Sequence, residues 1–478
     1  MKKLLFVGAE VMPFAATGGL GDVLGSLPQA LAASGEADVR VVLPLYEAVS
    51  ETWRKQMKQE AIFYVHLAWR EQYCGVFSLK KDGVTYYFID NEYYFKRPNL
   101  YGYFDDGERY AYFCMAVMEL MHRLDYYPDI LHAHDWQAAL SVVYLNCIYR
   151  GRSGYGNIKT AFTIHNIEYQ GCYDFAILGD VFSLGENEHS LMEHDGCINL
   201  MKAAVECADR VTTVSPRYAE EIKTAEYAHG LDSCLNRNAY KLGGILNGID
   251  YKYYDPKNDK AIAAGFGIRS LGGKIKNKLA LQKETGLPER EDVPMLSVIS
   301  RLASHKGLDL IAECIYDVVM NNDVQLVILG KGEAKYEQFF LNLQACFPDK
   351  VRALITYDRD LSKRIYAATD IFIMPSKSEP CGLSQMIASR YGAIPVVRET
   401  GGLYDSIKPF WMDGKTMNGN GFTFANYSSY ELGDRIGAAL ELYRDKDLCK
   451  KLVVKIMKTD FSWAVSAEKY LELYNELA

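Results

Sequence analysis

Apolar positions come in short runs along this chain, each closed by polar residues. The first run, Leu4 to Val7, is continuous, as expected of a strand covered on both faces. Pro13 then opens a turn and glycines follow at 18, 19 and 21. The spacing after them predicts a helix over 22–34, stopped at Gly35. A second strand is predicted at 38–44. Between Trp53 and Tyr94 the residues alternate, as at 85–89 between Asp82-Gly83 and Asn91, which predicts hairpins inserted in or extending the first sheet. A helix over 108–124 leads into a strand ending in His132, His134 and Asp135. The strands 159–164 and 210–214 end in His165-Asn166 and Ser215. Polar residues thus gather just beyond strand ends, the edge where open parallel sheets bind ligands.

A stretch rich in Gly and Lys, 265–291, reads as the start of a second domain. Beyond it, Val- and Ile-rich runs at 295–299, 324–329, 351–355, 371–374 and 394–397 are separated by helical segments. That rhythm predicts a doubly wound parallel sheet. The expected fold class is therefore α/β, with two similar domains facing each other. An amphipathic segment, 463–477, closes the chain and is expected to return to the first domain.

Composition narrows the function classes. The 478 residues suit two or three domains, with 49% hydrophobic and 24% charged residues. The net charge of −8, without a long basic run, argues against nucleic acid as a partner. A phosphate site must then be a local cluster of Lys and Arg. The 11 cysteines contain no CxxC pair, which fits reduced thiols in the cytoplasm better than disulfides or zinc. No apolar stretch is long enough for a membrane, and the N-terminal run meets Glu10, which reads as a first strand and not a signal peptide.

Three loops carry candidate chemistry. The bare backbone at Gly18, Gly19 and Gly21, before a helix N-terminus, outlines a cradle for an anion or sugar phosphate; a tight turn without a ligand is the other reading. Arg301 and Lys306 follow a predicted strand five residues apart, so both can meet one phosphate, or both can be solvated surface cations. Glu379-Pro380-Cys381-Gly382-Leu383 follows another strand, with a helix expected to begin near Gly382 and Glu379 as ligand group or simple cap partner. Thr-Gly-Gly-Leu at 17–20 recurs at 400–403.

Together these motifs resemble the bacterial and plant glycogen/starch synthases, from the first strand to the last helix. The resemblance rests on 17–22, 132–136 (His-Ala-His-Asp-Trp), 162–166, 246–250, 300–307, 379–383, 400–403 and 460–463. It implies the GT-B architecture, two doubly wound, Rossmann-like domains facing across a cleft. Residues 1–250 would form the acceptor-side domain, 251–458 the nucleotide-sugar domain, and 459–478 a helix packing back on the first. The implied reaction is retaining transfer of glucose from ADP-glucose to an α-1,4-glucan. By the same likeness, Arg301 and Lys306 hold the donor phosphates in place of a metal, so neither metal nor cofactor is expected. Glu379 and the amides of Cys381, Gly382 and Leu383 would grip the glucose. His165 would face its reacting carbon, with Asp135, Trp136 and Asn247 around it. Tyr357 would flank the base and Tyr101 the acceptor. Ala16, Gly18, Gly19, Asp22, Asn166, Thr400, Gly401 and Gly402 complete the implied substrate-binding set.

One position departs from the pattern. The family's first motif opens with lysine, where this chain has Ala16. Loss of that charge is expected to weaken donor binding or turnover without abolishing it. A glucan-binding or regulatory relative that keeps the fold but not the catalysis, and an enzyme acting on another acceptor, are the competing readings.

Overall fold

A computed structural model describes residues 1–477. The chain divides into two compact units, Met1–Ile245 with the segment from Trp463 onward, and Leu246–Ser462.

The first unit is built on nine strands: β1 (Lys2–Val7), β2 (Ala37–Pro44), β3 (Lys58–Leu67), β4 (Arg70–Lys81), β5 (Val84–Asp90), β6 (Ile130–His134), β7 (Lys159–Ile164), β8 (Arg210–Thr213) and β9 (Leu242–Gly244). Their order is β9-β8-β7-β6-β1-β2-β5-β4-β3. Neighbours are parallel except across β3, β4 and β5, so the hairpins extend the sheet. Burial explains the patterns read in the sequence. Central β1 is buried continuously from Leu4 to Val7, whereas edge strand β3 alternates, with Phe63, Val65 and Leu67 inward and Ile62, Tyr64 and His66 outward.

The helix after β1 spans Gly19–Ala33 and so begins three residues before the expected Asp22. Its start is set by extended Gly18 as N-cap and by the Gly21 amide donating to the Gly18 carbonyl. Gly21 also lies against Ala16, whose Cβ would be 2.3 Å from a Cβ at 21. The closing helix, Trp463–Leu477, packs on this first helix. It is pinned by Lys2 Nζ donating to the Tyr474 carbonyl (2.6 Å) and by a 2.7 Å hydrogen bond between Tyr474 OH and His132 Nδ1.

The second unit holds β10 (Met295–Ile299), β11 (Gln325–Leu329), β12 (Val351–Leu354), β13 (Ile371–Met374), β14 (Ile394–Arg398) and β15 (Phe422–Phe424). All pair in parallel in the order β12-β11-β10-β13-β14-β15, the doubly wound arrangement whose connections reverse between β10 and β13. The unit begins at Leu246, ahead of the Gly/Lys-rich stretch and of the expected division after 250. The reason is local: the Ile249 amide donates to the Phe461 carbonyl (2.8 Å), and Tyr251 OH reaches the Thr459 carbonyl. The Gly/Lys-rich stretch itself forms the helix Gly272–Thr285. Two of its lysines are buried: Lys274 Nζ donates to the Tyr391 carbonyl (2.9 Å), and Lys278 pairs with Asp370. Leu281 and Leu287 join Met295, Val327, Leu329 and Ile365 in the core beneath.

Candidate active site

Chemistry-bearing residues collect in each unit where the sheet's connections reverse. In the first unit this point lies between β1 and β6. Glu10, just past β1, is buried, and its carboxylate accepts from the Thr17 amide (2.5 Å), the Thr17 hydroxyl (2.7 Å), the Gly18 amide (3.0 Å) and the Tyr101 hydroxyl (2.7 Å). This corrects the expected cradle: the 17 and 18 amides serve Glu10. Tyr101 likewise spends its hydroxyl there. Gly18 and Gly19 nevertheless face open space, with nothing within 4 Å of a Cβ built on either. Asp22 stands in the first turn of the following helix, favourably placed for its dipole.

Past β6, Asp135 adopts φ +58, a left-handed conformation uncommon for a non-glycine residue. Its carboxylate accepts the His165 amide at 2.7 Å, yet burial raises its pKa to about 7. Burial pushes the His165 and His132 imidazoles down to about 3, and His134 well below its usual range. All three rings are therefore neutral at pH 7. His165 Nε2 lies 2.9 Å from His134 Nδ1, whose ring centroid is 4.1 Å from that of His132. Asn166 uses its Oδ1 to accept the Glu168 amide, fixing the turn after His165. The Trp136 indole packs edge-on against Tyr110 and lines a depression of about 510 Å³ with Glu168, Tyr169, Gly171 and His229.

In the second unit the loops after β10 and β13 lock together. The Lys377 amide donates to the His305 carbonyl (2.9 Å), and a Cβ on Gly307 would sit 2.0 Å from the Pro375 carbonyl oxygen. Across this junction Lys306 Nζ meets Glu379 Oε2 at 2.7 Å, and Ser376 Oγ donates to the same oxygen at 3.0 Å. Arg301 is exposed, and among the described residues its guanidinium has no hydrogen bond or ion pair. Cys381 is buried, which lifts its thiol to about 12, and the Asn247 main chain hydrogen-bonds its sulfur. Asn247 is buried too, with Oδ1 unpartnered. Gly382 takes φ +70, and the helix begins at Ser384, just past Leu383 and two residues later than expected. Tyr357 stands 77% exposed beyond β12.

Thr400, Gly401 and Gly402 carry a correction. The Gly402 amide donates to the Glu379 carbonyl (3.1 Å), and Cβ atoms on 401 and 402 would lie 2.0 Å from the carbonyl oxygens of Glu379 and Cys381. These glycines make room for backbone. Buried Thr400 precedes the short helix they open.

The sequence reading passed over Glu10, His134 and Ser376 as partners in these clusters. For Glu10 and His134 a signal was present: each is a polar residue at or just past the C-terminal end of an apolar strand. Among the described residues no cluster of three or more His, Cys, Asp or Glu could hold a metal, and no helix is long and apolar enough to cross a membrane.

Comparison with known proteins agrees with this geometry. Residues 3–237 match the starch synthase catalytic domain family, and 282–455 match glycosyl transferases group 1. The chain is 46% identical to the glycogen synthase of Ligilactobacillus salivarius, over 99% of this chain and 100% of the relative. It is 47% identical to that of Lactobacillus acidophilus, over 99% of each. Among solved structures, the catalytic domain of Arabidopsis thaliana starch synthase IV, bound to ADP and acarbose, superposes with TM-score 0.90 at 35% identity, over 99% of both chains. The sucrose-phosphate synthase of Thermosynechococcus elongatus, at 17% identity and TM-score 0.62, shares the fold. Matched over nearly its whole length by glycogen synthases and by a starch synthase structure, the chain belongs to the glycogen/starch synthase family of GT-B glucosyltransferases.

Proposed function

We propose that this protein extends an α-1,4-glucan in the cytoplasm by transferring glucose from ADP-glucose to the non-reducing end, with retention of configuration. The observation that carries the reading is the Lys306–Glu379 pair at the reversal point of a doubly wound sheet, with exposed Arg301 in the same loop as Lys306. In the reaction, the bond between glucose C1 and the diphosphate oxygen breaks. The acceptor 4-hydroxyl oxygen bonds to C1 on the same face, and its proton passes to the departing phosphate. Arg301 and Lys306 neutralise the charge growing on that phosphate. Glu379, Cys381, Gly382, Leu383 and Asn247 hold the sugar, and Tyr357 flanks the base. Neutral His165 offers a hydrogen bond to the sugar, and Asp135 fixes the His165 main chain. ADP is favoured over UDP because ADP occupies the similar starch synthase IV structure.

The test is ADP release by purified protein from ADP-glucose, with and without glycogen, alongside UDP-glucose. Glycogen-dependent ADP release with elongation of the glucan is expected. Glycogen binding without ADP release would instead identify a regulatory relative. Ala16 favours reduced turnover, since it places a methyl where the family carries an ammonium. Ala16→Lys should raise kcat or donor affinity; no gain in either would show that position 16 is not limiting.

A further inference from the structure

The His165 ring meets one hydrogen-bonding side chain, His134, through Nε2; its Nδ1 has no partner among the described residues. His134 is fully buried, and its own Nε2 is sealed in without a partner among the described residues. Its ring is held between Phe6, stacked at 5.5 Å and 18°, and His132. His132 is fixed in turn by Tyr474 OH on one nitrogen and Thr163 Oγ1 on the other, both at 2.7 Å.

Two neutral arrangements satisfy the 2.9 Å contact between the rings. If His165 Nε2–H donates, His134 must carry its proton on Nε2, an N–H enclosed with no acceptor. If His134 Nδ1–H donates, its Nε2 is only an unused lone pair, and the His165 proton moves to Nδ1. Buried N–H groups without acceptors are the rarer and costlier defect. A shared imidazolium is opposed by the burial of both rings.

We infer that His134 is a positioning residue that holds His165 in the Nδ1–H tautomer, so that His165 presents a neutral hydrogen-bond donor to a hydroxyl oxygen of the donor sugar. The site is thereby set to hold that hydroxyl and not to remove a proton. The inference rests on the proposed sugar-facing role of His165, and its test separates the two.

In full-length protein carrying ¹⁵N-labelled histidine, long-range ¹H–¹⁵N correlation reads each tautomer, with His165 assigned by its loss in His165→Gln. Nδ1–H is expected at His165; Nε2–H there would overturn the inference even if every variant failed to fold. His134→Phe keeps an aromatic ring but removes the donor. It should lower kcat on the order of 10- to 100-fold, as when the outer partner of a functional histidine is lost, with KM little changed. His134→Asn places an amide N–H near the Nδ1 position and should restore most of the rate. Wild-type kcat in His134→Phe would overturn the positioning role. Full activity in His165→Ala, with Nδ1–H observed at His165 of the wild type, would overturn the sugar-facing role and leave the tautomer assignment standing.

Discussion

Lys306→Met separates the ion pair that Lys306 makes with Glu379 from the phosphate-neutralising role proposed for it. Lys306 Nζ and Glu379 Oε2 are 2.7 Å apart, with side chains 16% and 9% exposed. At an effective dielectric of about 20, their attraction is about 6 kcal/mol. Desolvation of two ions offsets most of that, so the intact pair adds little net stability. Removing the lysine is a different matter, because among the described residues it strands a buried carboxylate with the Ser376 hydroxyl as its remaining side-chain donor. Such a loss costs about 2–4 kcal/mol here, somewhat below the usual range because Lys306 is partly wet. In a unit of this size that lowers Tm by roughly 5–15 °C. Lys306→Met combined with Glu379→Gln removes the stranded charge and should recover most of the Tm. Under the proposed role activity should not follow, because the ammonium that would neutralise the departing phosphate is absent in both variants; a loss of about 10²–10³ in kcat is expected. Differential scanning fluorimetry and an ADP-release assay on the same samples read the two effects. Recovery of activity along with stability in the double variant would refute the catalytic role and leave Lys306 as a counter-ion. An unchanged Tm in the single variant would refute the stranded-charge reasoning.

The remaining predictions use burial and space in the same way. Gly402→Ala places a Cβ 2.0 Å from the Cys381 carbonyl oxygen and should cost about 1–3 kcal/mol or more, together with activity, by displacing Glu379. Gly19→Ala meets nothing within 4 Å and should leave Tm unchanged while raising the donor KM, if the open loop receives the donor; equal KM values would mean the bare backbone there is unused. Burial raises the Asp135 pKa to about 7 in the folded state, so its favourable contribution is complete below the unfolded value near 4 and is lost as pH rises through 7. Asp135→Asn, which still accepts the His165 amide, should therefore gain stability relative to wild type at pH 8 and none at pH 4. Chemical denaturation at both pH values checks the sign.

Much of the frame was legible because strands covered on both faces read as short runs dominated by apolar and β-branched residues. The runs at 159–164, 295–299 and 371–374 are β7, β10 and β13 to the residue. The first helix was misplaced because Gly19 and Gly21 have poor helix propensity, while its start is fixed by Gly18 and by Glu10 gripping the loop ahead of it. The His134–His165 pair was not legible for another reason. It spans 31 residues and exists because β6 and β7 are neighbours, with His134 opposite Thr163, which carries His165 just past the strand end. Periodicity predicts strands; it does not state which strands pair, and side-chain partners across a parallel sheet depend on that pairing.

The repeated Thr-Gly-Gly-Leu shows how one tetrapeptide can do unlike work. In the first unit its amides at 17 and 18 turn inward to Glu10, while Gly18 and Gly19 keep an open outer face. In the second unit both glycines are consumed by contact with the backbone at 379–381, and the Gly402 amide is spent on Glu379. The second copy therefore supports the placement of Glu379 and the turn to Leu383. The reversal point of that unit is lined by charged side chains, Arg301, Lys306 and Glu379, whereas the reversal point of the first unit combines open backbone at Gly18 and Gly19 with the neutral imidazole of His165.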